Sequence, residues 1–253
     1  MHPILLKFGP LTLYSYGLML ALGFLLALFV AERRARAAGL DAAVIQNLAF
    51  TALVAGLVGG RVAYVLLNLQ VFLENPMEIL RLDHGGLVFY GGLIAGMAAG
   101  VCFIRAKKLP VLLTLDVMIP PLVLAHAVGR IGCFLNGCCY GKPTALPWGV
   151  VFPGDTVIRH PVQLYETGAL LVICCLLKRI EKAGFPAGGV LLSYGLLYGC
   201  WRFVIEFFRA DNPGIAFGLT VFQWLSLLLI AVSILAPVLK RMVSRPSKDR
   251  HSG

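Results

Sequence analysis

Seven stretches of this chain are too long and too apolar to be anything but membrane spans or the buried centre of a bundle of them. They run over residues 11–31, 45–69, 87–104, 111–131, 161–179, 187–208 and 220–239. A helix needs about 20 mostly apolar residues to cross the hydrocarbon layer. In that layer each backbone N–H and C=O must be satisfied internally, so only helices or a closed barrel can span it. The stretches are continuous rather than alternating, which selects helices. The expected fold is therefore an all-α integral membrane protein with seven transmembrane helices. One seven-helix domain is expected over residues 1–239, followed by a basic tail over 240–253. The first stretch outruns the apolar core of a secretory signal and ends in a basic cluster, so it reads as a span rather than a cleavable leader.

The chain carries a formal charge of +10. That charge lies between apolar stretches rather than on one face of a domain, which excludes a nucleic-acid surface and points to topology. Fourteen Lys and Arg residues fall in connections 32–44, 105–110, 178–186 and 240–253, against five in 1–10, 70–86, 132–160 and 209–219. Basic connections stay in the cytoplasm. The N-terminus is thus expected outside and the C-terminus in the cytoplasm. Gly56/Gly60, Gly92/Gly96/Gly100 and Gly195/Gly199 have the spacing that lets membrane helices approach closely.

Placed on that topology, nearly all the intramembrane polar residues fall in the outer half. Tyr14 and Tyr16 open the first helix, and Arg61 and Tyr64 lie in the outer part of the second. Tyr90 opens the third, and His126 and Arg130 close the fourth. Gln163, Tyr165 and Glu166 open the fifth. Tyr198, Arg202 and Glu206 occupy the later half of the sixth, and Gln223 opens the seventh. A transporter is expected to carry polar groups through the whole depth, with binding at the midplane. A cavity confined to the outer leaflet suits a protein that handles a lipid headgroup.

Arg130 is the sharpest of these residues. An arginine at the centre of a membrane helix costs about 2.5–3.5 kcal/mol on insertion scales, less toward the ends. It lies four residues after His126, on the same helix face, in a stretch with Gly129, Gly132 and Gly137. Its guanidinium is either a bidentate fork for a phosphate or a side chain snorkelling to the headgroups. Tyr194, Tyr198, Arg202 and Glu206 recur every four residues and form one polar stripe. Their Arg202–Glu206 pair either neutralises itself or holds the arginine for a ligand. Gln163 and Glu166 face together at a helix start, where an acid either caps the helix or serves a site. Cys102, Cys174, Cys175 and Cys200 read as small apolar packers. Cys133, Cys138 and Cys139 fall at the outer face, where a disulfide is feasible. Their spacing matches no usual zinc pattern and no His falls at a suitable interval, so no metal is expected.

These residues together resemble the prolipoprotein diacylglyceryl transferase family. The resembling blocks are Tyr14-Ser15-Tyr16-Gly17, Gly59 to Val65, Gly85 to Gly92, Gly129 to Gly141, His160 to Glu166 and Tyr198 to Arg209. They occur in order and cover nearly the whole chain. The resemblance implies a bacterial inner-membrane enzyme with its active site toward the outer face. It implies transfer of a diacylglyceryl group from phosphatidylglycerol to the thiol of a lipobox cysteine in a prolipoprotein signal peptide. The product is a thioether and the leaving group is glycerol phosphate; no cofactor is implied. Arg130 and Arg202 would stabilise the leaving phosphate, with Glu206 and Glu166 orienting them or the glycerol head. Tyr16 and Tyr198 would donate hydrogen bonds. Arg61, Asn136, Gly141, Gln163 and Gln223 would complete the phosphatidylglycerol surface. Three positions depart from the family pattern: Tyr90 replaces a His, Cys133 an Asn and Cys138 a Glu. Tyrosine, with a reference pKa near 10, is a poor base at neutral pH, so His126 is expected to share the proton-accepting role with Tyr90. The competing reading is a non-catalytic lipid or solute transporter of the same topology.

Overall fold

The computed structural model describes residues 1–8, 11–81 and 85–243. Most of the expected tail, residues 244–253, lies outside the described residues, and its first four residues continue the last helix. The chain opens with a hairpin of β1 (Ile4–Phe8) and β2 (Leu11–Tyr14). Helices α1 (Ser15–Ala37) and α2 (Ala42–Leu67), the short α3 (Leu69–Glu74) and a 3-10 turn (Pro76–Leu80) follow. Next come α4 (Phe89–Ala106) and α5 (Val111–Asn136). The hairpin of β3 (Val150–Val151) and β4 (Ile158–Arg159) leads into α6 (Val162–Lys182) and α7 (Gly189–Ile205). A 3-10 turn (Glu206–Phe208) and the hairpin of β5 (Gly214–Ala216) and β6 (Leu219–Thr220) precede α8 (Val221–Val243).

Six of these helices, α1, α2, α4, α5, α7 and α8, are long and apolar enough to cross a membrane. The fifth expected span, α6, carries Glu166 near its start and Lys178 and Arg179 near its end, which take it out of that class. Its burial explains the composition: Gln163, Glu166, Thr167, Leu170, Ile173, Cys174 and Leu177 are all buried, a stripe at helical spacing. Leu170, Ile173, Cys174 and Leu177 join Val123 and Ala127 of α5 and Val190 of α7 in one core. By contrast Leu25, Phe29, Val54, Ile94 and Leu228 are exposed, an outward apolar surface that suits lipid.

Three features differ from the sequence expectation. Residues 11–14 are strand, paired with 4–8, so the first helix starts at Ser15 and runs through the basic cluster to Ala37. Ala, Arg and Glu are strong helix formers and carry it there. Three small two-stranded sheets interrupt the expected all-helical chain. Finally, α5 continues five residues past the expected end, to Asn136. Gly132 is a contact glycine rather than a stop: a Cβ there would lie 2.9 Å from Met19 Cβ of α1.

The chain forms two compact units, one of residues 28–117 and the other of residues 1–27 with 118 onward. Within the first, α2 and α4 pack backbone to backbone. A Cβ on Gly59 would lie 2.2 Å from Ala95 Cβ, and one on Gly91 would lie 2.3 Å from Ala63 Cβ. The small residues are therefore the interface itself. Beside it Arg61 clamps the loop between the two helices. Nε donates to Ile79 O at 3.0 Å, Nη1 to Gly85 O at 2.7 Å and Gly86 O at 3.1 Å, and Nη2 to Glu78 O at 2.5 Å and Arg81 O at 2.8 Å. Every nitrogen of this buried guanidinium is engaged by backbone carbonyls. Arg61→Lys is expected to lower the melting temperature of the detergent-solubilised protein by several degrees, since one ammonium cannot replace a planar five-donor fork. An unchanged melting temperature would show that the clamp does not hold this pair of helices together.

Candidate active site

The polar residues of the other unit gather around two buried glutamates. Glu166, on the second turn of α6, is fully buried. Arg130 Nε of α5 lies 3.0 Å from its Oε2, and His126 Nε2, one turn earlier on α5, lies 3.5 Å from its Oε1. The Tyr198 hydroxyl of α7 donates to the same Oε1 at 3.3 Å. Tyr198 is fixed in turn, stacked on Tyr194 with ring centres 5.4 Å apart and edge-on to His126 at 5.6 Å. Glu166 therefore collects three side chains from two helices and caps nothing. Gln163 also leaves its own helix start: Nε2 donates to Cys138 O at 2.6 Å, tying the turn after α5 to α6.

Glu206 is the second centre. Arg202 Nη2 lies 2.8 Å from its Oε2, with Arg209 Nε 3.9 Å from the same oxygen. Oε1 accepts from Asn212 Nδ2 at 2.7 Å and from Thr220 Oγ1 at 2.8 Å. Arg202 also lies over the Phe222 ring, 4.5 Å from its centre. The two centres share a field: Arg130 acts on Tyr198 and on Arg209, and Arg202 on His126 and Tyr198.

The arginines differ from Arg61 in one decisive respect. Arg130 Nε and Arg202 Nη1 are buried without a hydrogen-bond partner among the described residues, as are Glu166 Oε2 and Glu206 Oε2. The carboxylates balance the guanidinium charges without aligned hydrogen bonds. A buried donor without an acceptor costs about 1–3 kcal/mol, more when charged. A tetrahedral oxyanion bound beside these guanidiniums offers the missing acceptors.

Other expected residues have different surroundings. Gln223 and Thr220 form a reciprocal cap at the start of α8: Thr220 N donates to Gln223 Oε1 at 2.9 Å, and Gln223 N to Thr220 Oγ1 at 3.3 Å. The Thr-x-x-Gln spacing carries that signal. Gly141 is a tight crossing, where a Cβ would lie 2.7 Å from both His160 Cβ and Phe208 O. Asn136 ends α5, two residues before Cys138. Tyr16 is partly exposed on α1, within the field of Arg130 and of Cys133, Cys138 and Cys139. Tyr90, at the start of α4, belongs to the unit of residues 28–117, as does Arg61.

Sequence reasoning passed over Arg209. It is buried, fixed by Asp211 through Nε–Oδ1 at 3.0 Å and Nη2–Oδ2 at 2.5 Å, and paired through its backbone with Gly141. Its place at the end of the Tyr198–Arg209 block was the available signal. The Cys139 thiol is held well below the usual thiol range by hydrogen bonds from Cys133 and Cys138, with Arg209 and Arg130 adding to the effect. A cavity of about 430 Å³ opens beside it, lined by Gly137, Cys138, Cys139, Tyr140, Ala210 and Asp211.

The sequence profile of the family described as prolipoprotein diacylglyceryl transferase matches residues 3–239. Relatives named phosphatidylglycerol–prolipoprotein diacylglyceryl transferase align along nearly their whole length. That from Clostridium tetani is 35% identical over 92% of this chain and 96% of its own. That from Geobacter sulfurreducens is 34% identical over 96% and 95%, and that from Bordetella parapertussis 36% over 90% and 91%.

Proposed function

The chain belongs to the prolipoprotein diacylglyceryl transferase family, and from that premise we propose a role for each group of its buried polar site. The protein is a multi-pass membrane transferase that moves the diacylglyceryl group of phosphatidylglycerol onto a prolipoprotein. Six helices cross the bilayer, and α6 is the seventh crossing, shielded by its neighbours. The N-terminus lies outside, the C-terminus in the cytoplasm, and the site faces the outer side of the bacterial inner membrane. The acceptor is the lipobox cysteine.

In the reaction the acceptor sulfur attacks the terminal carbon of the diacylglyceryl group. A C–S bond forms, the C–O bond to phosphorus breaks, and the phosphate leaves as glycerol phosphate. The thiol must lose its proton to become an effective nucleophile, and the leaving phosphate gains negative charge. Arg130 and Arg202 stabilise that charge in a site of low dielectric. Glu166 and Glu206 hold the two guanidiniums in place. Tyr16 donates a hydrogen bond to the lipid head, and Tyr198, whose one hydroxyl proton goes to Glu166, offers its oxygen as an acceptor to the glycerol hydroxyls, with Asn136 and Gln163 shaping the turn beside it. The observation that carries this reading is the contrast of Arg61 with Arg130 and Arg202: Arg61 has every nitrogen bonded to a carbonyl, whereas Arg130 and Arg202 are charge-balanced but each keeps a buried donor nitrogen without an aligned acceptor.

His126 takes the thiol proton. Its Nε2 faces Glu166, so a proton on Nε2 leaves Nδ1 as the basic atom, with the carboxylate ready to stabilise the imidazolium. Tyr90 is assigned a supporting part on the resemblance alone. The direct test reconstitutes purified protein with phosphatidylglycerol and a lipobox peptide and follows thioether formation and glycerol phosphate release. His126→Gln is expected to slow transfer about 100-fold near neutral pH, with the deficit shrinking above pH ~8.5, where the acceptor thiol ionises unaided. Near-normal transfer by this variant at neutral pH would remove the base role. Absence of both products from the wild-type protein would overturn the proposed chemistry.

A further inference from the structure

We propose that Cys133, Cys138 and Cys139 form a three-thiolate binding site for a zinc ion, with the fourth coordination position open to the adjoining cavity. The Cys-x4-Cys-Cys spacing matches no usual zinc pattern, which is why the sequence argues against a metal. The end of α5 supersedes that argument. Gly137, at φ +77°, closes the helix. Gly137 N donates to Phe134 O and Cys138 N to Cys133 O, both at 3.1 Å. This pair of bonds is a Schellman motif, which places the side chain after the closing residue against the one three positions inside the helix end. In most proteins two apolar groups meet there. Here they are Cys138 and Cys133. Cys139 then adopts φ +61°, a left-handed conformation that is uncommon for a non-glycine residue, and its sulfur returns to the same point. All three Sγ atoms lie within 4.8 Å of one another, and none is in a disulfide.

That spacing suits one ion. Sulfurs bound tetrahedrally at about 2.3 Å stand about 3.8 Å apart, so the cluster needs only a small contraction. The surroundings supply what three thiolates and one dication require. Arg209 and Arg130 act electrostatically on Cys139 and offset the remaining negative charge. Cys138 Sγ lies 3.6 Å from Cys133 O, and Gln163 Nε2 pins the Cys138 carbonyl at 2.6 Å. Neighbours of this kind orient ligands and tune a metal site. Cys138 and Cys139 also line the cavity of about 430 Å³, so the fourth position is reached by solvent or by a sulfur ligand. Three protein ligands with one exchangeable position is the zinc arrangement of reactive sites rather than of closed structural ones.

The test is independent of transferase activity. Full-length protein purified in detergent with its thiols kept reduced is assayed for bound metals and for alkylation of each cysteine. About one zinc per chain is expected to survive dialysis against a weak chelator, with Cys133, Cys138 and Cys139 protected from alkylation. A strong chelator is expected to remove the zinc and expose those three thiols together. Cobalt(II) replacement is expected to give a sulfur-to-metal charge-transfer band that Cys139→Ser lacks and that Cys102→Ser, altered on α4, retains. The chelator experiment needs no variant, so poor folding of Cys139→Ser leaves the proposal testable. Wild-type protein that carries no zinc as purified, with the three thiols alkylating freely before any chelator is added, would overturn it. So would a disulfide among the three in protein purified under reducing conditions, and bound copper in place of zinc would overturn the choice of ion.

Discussion

Arg130→Lys is expected to lower the rate of thioether formation about 1000-fold at saturating phosphatidylglycerol, with a much smaller change in KM. The side chain is placed where charge develops on the leaving phosphate, so its loss falls on the transition state rather than on lipid binding. Removing one preorganised donor from such a site costs about 100- to 1000-fold. Lysine keeps the charge but not the geometry. Arg130 meets Glu166 through Nε, which leaves the rest of the planar guanidinium for a second acceptor, whereas one ammonium must choose between them. Single-turnover measurements with excess enzyme separate the chemical step from lipid uptake. A Lys variant whose defect disappears at high lipid would assign Arg130 to binding alone.

Glu166→Gln is expected to damage both stability and rate. Glu166 is fully buried and faces Arg130, His126 and Tyr198 at once. Glutamine preserves the volume and an acceptor for Tyr198, so the main change is the lost charge. Breaking a buried ion pair from one side costs about 3–5 kcal/mol, because the remaining charge is left uncompensated. The variant should therefore melt well below wild type and lose more than about 100-fold in rate. The double variant Arg130→Gln/Glu166→Gln should recover part of the stability, as expected for residues in contact. Strictly additive melting shifts would show that the two side chains do not depend on each other.

The helices were legible because hydropathy reports which segments leave water, and the seven apolar stretches all became long helices with ends displaced by a few residues. Hydropathy is blind to where a polar atom points. Gln163 and Glu166 at a helix start look like a cap, and only the fold shows them reaching to Cys138 and Arg130. Gln223 looks like another polar residue beside the site, yet Thr220 binds it in a reciprocal cap. Arg61 and Arg130 are indistinguishable by depth and flanking glycines; their difference lies in which carbonyls return through space. Cys133, Cys138 and Cys139 were obscured for a related reason. Ligand spacings are read as though chain distance were spatial distance, and a left-handed helix end breaks that assumption.

The clamp at Arg61 has a consequence for how the chain enters the membrane. Its carbonyl acceptors lie 17 to 25 residues downstream, so they leave the ribosome after Arg61 does. Until they arrive, α2 presents the bilayer with an arginine lacking its internal partners and a glycine face with nothing against it. Both defects are repaired together when α4 follows. The thermodynamic unit of insertion is therefore the α2–α4 pair with its connecting loop, and α2 alone is the poorer membrane segment.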